Sequence, residues 1–163
     1  ILTLIPDWTE HLGFKNKGVF FMLFTISSMM VRFFAGKISD QKGRVLVIKL
    51  GLVLLIIALV LLASIDAKIG LILGGLMYGI STGILSPALN AWTIDFSKPD
   101  ERGKAMATMY IAMEAGIGLG ALCAGWYFQD YLDRIPMVIY VSAFICLLGT
   151  IYMLRFKNKP QTI

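Results

Sequence analysis

The sequence predicts an all-α membrane protein, with five complete transmembrane helices preceded by the end of a sixth. Three observations lead there. Of 163 residues, 58% are apolar and 15% charged, and the mean hydropathy is +0.78; ordinary soluble domains run near 45–50% and about 25%. The apolar residues gather into five runs, each close to the roughly 20 residues a helix needs to cross the hydrocarbon core. The basic residues cluster between those runs. A soluble domain of this composition would expose large apolar patches and aggregate. Open strands would leave backbone groups unpaired in lipid, and the alternation of a transmembrane barrel is absent, so helices remain.

The elements follow in order. The opening ILTLIP is too short to span a bilayer and lacks signal-peptide architecture. It reads as the tail of a helix that starts upstream, so the chain is expected to be a fragment of a longer protein. Residues 1–163 form a single transmembrane helical domain, with spans near 18–36, 45–64, 69–93, 105–128 and 136–154. Pro136 suits a helix start, where its missing amide leaves nothing unpaired. Pro87 frees a carbonyl inside the third span and is expected to bend it.

Five spans put alternate connections on opposite sides, so the positive-inside rule applies. One side collects nine cations: Lys37, Lys42, Arg44, Lys98, Arg102, Lys104, Arg155, Lys157 and Lys159. The other collects four: Lys15, Lys17, Lys68 and Arg134. The first side, with the C-terminus, is expected to be cytoplasmic. A net charge of +5 distributed this way marks topology and gives no face for nucleic acid. Trp92, Trp126, Tyr127 and Tyr131 fall near span ends and read as interfacial anchors.

Two spans are rich in small residues. Gly75, Gly79 and Gly83 recur every fourth position in the third span, which permits close helix approach on one face. Gly116, Gly118, Gly120 and Gly125 lie in the fourth, on roughly opposite faces, so both sides of that helix are expected to meet protein. The second span is uniformly bulky and apolar, and is expected at the lipid-facing periphery. Cys123 and Cys146 lie in apolar runs and His11 stands alone in a polar loop, so no metal site, cofactor or disulfide framework is indicated.

Chemistry-bearing residues are few. Between the first two spans the chain reads Gly36-Lys-Ile-Ser-Asp40-Gln-Lys-Gly43-Arg44. Gly36 permits tight packing, Gly43 a turn, and Asp40 meets a helix N-terminus or a cation. Glu114 lies mid-span, where a charge costs at least ~2.5–3.5 kcal/mol, so such a residue faces protein or a watery cavity. It reads either as a proton-coupling or substrate-contacting carboxylate, or as a hydrogen-bonded structural glutamate. Arg32 sits just inside the first span; it snorkels to headgroups, or pairs with Asp40 or Asp95 as a cytoplasmic latch. Lys49 reads as a snorkeller.

The G-x-x-x-D-x-x-G-R spacing, placed between two spans on the positive side, resembles the signature loop of the major facilitator superfamily. EAGIGLGALCAG resembles that superfamily's glycine-rich fifth or eleventh helix, without the Gly-Pro pair of its drug-antiporter version. SPALNAW and RGKAMATMYIAMEAGIGLGA resemble bacterial efflux permeases. GVFFMLFTISSMMVRFFAGKISD resembles the second half, so the five spans correspond to helices eight to twelve. The resemblance implies a half-bundle whose partner is the missing N-terminal half. It implies secondary active transport of a small organic solute by alternating access, with protons as the coupling ion, in the bacterial inner membrane. It also implies that the third span lines the cavity, making Tyr78, Ser81 and Asn90 candidate substrate contacts; the other role for such hydroxyls is to satisfy their own helix. Two other classes fit less well: a permease subunit of a nucleotide-driven transporter needs a cytoplasmic coupling helix, for which the internal loop DFSKPDERGK is too short, and a membrane-embedded enzyme needs paired catalytic groups at one depth, which the sequence does not offer.

Overall fold

The computed structural model describes residues 2–65, 67–128 and 131–156. Among these, all regular structure is helical: α1 (Ile5–His11), α2 (Val19–Lys42), α3 (Arg44–Ser64), α4 (Lys68–Phe96), α5 (Arg102–Phe128) and α6 (Ile135–Met153), with short 3-10 turns at Pro99–Glu101 and Leu132–Arg134. The last five helices are long and apolar enough to cross a membrane.

The helices α2 to α5 each outlast the apolar run that announced them, and α6 matches its run in length. The first long helix continues through Lys37–Lys42, where the sequence reading placed a connection from residue 36 onward. Hydropathy marks where hydrocarbon ends, whereas the backbone ladder continues as long as side chains can reach water. α2 stops at Gly43, whose φ of 88° breaks the helical path and lets α3 begin at the next residue.

Contacts fix the directions. Lys49 at the start of α3 donates from Nζ to the Phe156 carbonyl just past α6 (2.9 Å), and Ser64 at the other end of α3 bonds Tyr140 of α6 (2.9 Å). Thus α3 and α6 run antiparallel. The α2 and α4 helices run parallel, Phe20 packing at Gly75, Phe24 and Ser27 at Gly79, and Ser28 at Gly83. A Cβ at Gly83 would sit 2.8 Å from the Ser28 carbonyl, and one at Gly79 would strike the Ser27 hydroxyl and the Phe24 carbonyl. Pro87 lies inside α4 without interrupting it.

Two helices occupy places other than those expected. The uniformly apolar α3 is a central helix, packed between α4 and α6, with Val45, Val47, Ile48, Gly51, Ala58, Leu59, Leu62 and Ala63 buried. Its exposed residues Leu46, Leu50, Val53, Ile57 and Val60 form one stripe at helical spacing. An all-apolar helix advertises no preferred face, so the sequence did not reveal which side was inside. Conversely, glycine-rich α5 buries only Ala124 and Phe128. A Cβ at Gly116, Gly118, Gly120 or Gly125 would meet no described atom within 4 Å. Small residues permit a close approach without supplying the partner.

The apolar core forms two clusters. One gathers Leu4, Ile5 and Trp8 of the first segment with Phe20, Leu59, Leu62, Leu71, Phe128, Ile135 and Ile139 near the Lys68 end. The other holds Val45, Ile48, Leu85, Ala88 and Met153 near the Arg44 end.

Candidate functional site

The signature residues lie at the α2–α3 junction. Gly43 is the single residue between the helices, and its amide closes α2 by donating to the Ser39 carbonyl (3.1 Å). The abrupt turn brings Arg44 back over the last turn of α2, where its Nη1 donates to Asp40 Oδ1 at 2.9 Å. The same guanidinium, through Nε, donates to Asp95 Oδ2 near the end of α4. One arginine therefore ties three helices. Its side chain is 20% exposed, against 64% for Asp40 and 50% for Asp95. Taken singly, the two charges run against their helices. A cation at the N-terminus of α3 and an anion at the C-terminus of α4 each oppose the helix dipole, and pairing offsets both.

The ion pair expected between Arg32 and Asp40 or Asp95 is made by Arg44 instead. Arg32 precedes Asp40 by eight residues, about 12 Å along the helix axis. Its exposed side chain makes no ion pair with the described residues. The signal for Arg44 was present in the sequence as an i, i+4 spacing from Asp40. No spacing signalled Asp95, which reaches Arg44 across 51 residues. At Gly36 a Cβ would meet nothing within 4 Å, so the tight packing expected there involves no described residue.

The α4 candidates separate by depth. Ser81 is fully buried, and its hydroxyl donates to the Gly51 carbonyl of α3 at 2.9 Å. Thr82 donates to the Tyr78 carbonyl in its own helix at 2.9 Å. Tyr78 is half-buried against the rings of Phe20 (6.1 Å) and Phe24 (5.7 Å). Asn90 is half-buried. Glu114, midway along α5, is exposed among exposed Ile111, Met113 and Ile117, with no ion pair or hydrogen bond to the described residues.

Sequence reasoning also missed two contacts made by lysines. Lys49, read as reaching for headgroups, caps the end of α6 through Phe156. At the Lys68 end, Lys17 pairs with Glu10 at 2.6 Å, which holds the Lys17 ammonium protonated above the usual lysine range. Lys157 and Lys159, counted on the basic side, lie outside the described residues.

The description "Major Facilitator Superfamily" belongs to the family model that matches residues 1–162. The chain belongs to that superfamily. It is an integral membrane protein on the same grounds. Among curated members of the superfamily, it is 23% identical over 163 residues to the Quinolone resistance protein NorA of Staphylococcus aureus (strain Mu50 / ATCC 700699), covering 99% of this chain and 41% of that protein. It is 25% identical over 159 residues to Multidrug resistance protein 2 of Bacillus subtilis (strain 168), covering 95% of this chain and 39% of that protein. The chain thus spans well under half the length of these superfamily relatives.

Proposed function

We propose that the complete protein is a secondary active transporter that moves a small organic solute outward by alternating access, coupled to protons, and that this chain is its C-terminal six-helix half. The observation that carries the reading is the Arg44 guanidinium held by Asp40 and Asp95. It ties α2, α3 and α4 at one end of a chain that belongs to the superfamily over its whole length. Exposed ion pairs contribute only ~0–1 kcal/mol each. A latch of that strength holds one state of a carrier without trapping it, since both states must stay within a few kcal/mol of each other.

In this reading the Arg44 end faces the cytoplasm, because the basic connections lie there. Lipid solvates the outer stripe of α3, and the exposed small-residue faces of α5 meet the N-terminal half. Glu114, standing mid-span without a described partner, is the candidate proton carrier, and Tyr78 and Asn90 are the candidate solute contacts on α4. Relatives bearing quinolone and multidrug resistance in their names support a drug-like organic solute.

The test uses everted bacterial membrane vesicles containing the complete protein. A solute drawn from a panel of quinolones and organic cations should dissipate a preformed proton gradient and accumulate inside. Failure of every member to move protons or to accumulate, with the protein shown to be inserted, would overturn the proposal.

A further inference from the structure

At the Arg44 end a cavity of about 530 Å³ opens between the last turn of α4 and the first turns of α5. Its wall is aromatic. Trp92 and Phe96 line it, and Phe156, following α6, stands edge-on to Trp92 at 5.4 Å. Its rim is basic: Lys98 and Lys104 line it with Glu101 as the single acid, which leaves one positive charge in excess. Neither lysine pairs with a carboxylate among the described residues. The transport reading uses none of these groups.

The polar lining is specific about what it accepts. Thr93 donates to the Leu89 carbonyl, Ser97 to Ile94 and Thr108 to Lys104, so the three hydroxyl hydrogens are engaged by the backbone. What the hydroxyls offer the cavity is oxygen lone pairs, while the two ammonium groups offer charge and donors. A fitting ligand therefore has a single negative charge, hydroxyl groups of its own to donate, and an apolar body to lie on the rings. Phe96 is 68% exposed and extends that apolar wall outward. The cavity also lies at the ends of two membrane-spanning helices, at headgroup depth, where basic pockets between helices capture anionic lipid.

We propose that this cavity binds an anionic glycerophospholipid of the phosphatidylglycerol class. The phosphodiester sits between Lys98 and Lys104, the headgroup glycerol donates to the Ser and Thr oxygens, and the acyl chains leave along Phe96. Lipid bound there bridges α4 and α5, whose mutual contacts are otherwise sparse, and so holds α5 against the body of the bundle.

The experiment takes the complete transporter in nanodiscs and measures its thermal midpoint and retained lipid by native mass spectrometry. Phosphatidylglycerol is compared with phosphatidylcholine, and inorganic phosphate and glycerol 3-phosphate serve as soluble arms. Wild type should retain phosphatidylglycerol preferentially and melt higher in it. Lys98→Gln with Lys104→Gln should lower that preference about fivefold for each lysine removed, while the arginine pair Lys98→Arg with Lys104→Arg should keep it. The proposal is overturned by equal retention of the two lipids, by an unchanged preference in the glutamine pair, or by stabilisation with free phosphate equal to that with lipid. A cross-link from Cys substituted at Lys104 to the N-terminal half, in place of lipid, would also overturn it.

Discussion

Arg44 and Asp95 stand 51 residues apart in the chain, yet the guanidinium of one holds the carboxylate of the other. The contact closes a triangle with Asp40 and joins the start of α3 to the ends of α2 and α4.

Breaking that triangle should alter transport more than folding. Two exposed pairs of at most ~1 kcal/mol each shift a two-state equilibrium by on the order of tenfold. Arg44→Ala, which removes both pairs, should therefore slow solute flux in proteoliposomes by about that factor, and Asp40→Ala, which removes one, by at most about fivefold, each with normal amounts of protein in the membrane fraction. Normal flux in Asp40→Ala would remove the latch from the mechanism. Lysine cannot reproduce a fork that meets two carboxylates at once, so Arg44→Lys should recover only part of the rate.

Glu114→Gln should separate coupling from binding. The amide keeps the size and the hydrogen-bonding capacity of the side chain and cannot release a proton. Accumulation driven by a proton gradient should be lost, while exchange of labelled for unlabelled solute persists. If gradient-driven accumulation survives, Glu114 is structural.

Gly79 tests the α2–α4 seam. A methyl there would run into the Ser27 hydroxyl and the Phe24 carbonyl, the latter being backbone that cannot turn aside. Gly79→Ala should cost about 1–3 kcal/mol, seen as a lower thermal midpoint of the detergent-solubilised protein. Gly103→Ala, where a Cβ meets nothing within 4 Å, should leave the midpoint unchanged or raise it.

Gly43 tests the turn. Its φ of 88° is a conformation that other residues adopt at a cost of about 1–3 kcal/mol. Gly43→Ala should lower the thermal midpoint, and by tilting Arg44 away from Asp95 it should also reduce flux. A variant of wild-type stability and rate would show that the junction tolerates a different path.

Much of this was legible along the chain. The runs that became α2 to α6 were visible as apolar stretches, and the turn at Gly43 as a glycine before a cation. Ser81, by contrast, reads as a cavity residue or a self-satisfied hydroxyl from sequence, yet it bonds the Gly51 carbonyl of a neighbouring helix. Only the packing of α3 on α4 brings that carbonyl within reach. The glycines of α4 and α5 look alike in sequence, but only the former are occupied, by Phe20, Phe24, Ser27 and Ser28.

Composition and spacing by themselves determined that the chain is helical, that five of its helices are long and apolar enough to span a membrane, and that it resembles one superfamily. Length and apolarity are local sums, readable one segment at a time. Tertiary structure alone decided that α3 is central and α5 exposed, and that Arg44 rather than Arg32 binds Asp95. Those outcomes depend on which surfaces meet, and an evenly apolar helix or a row of glycines is compatible with many partners.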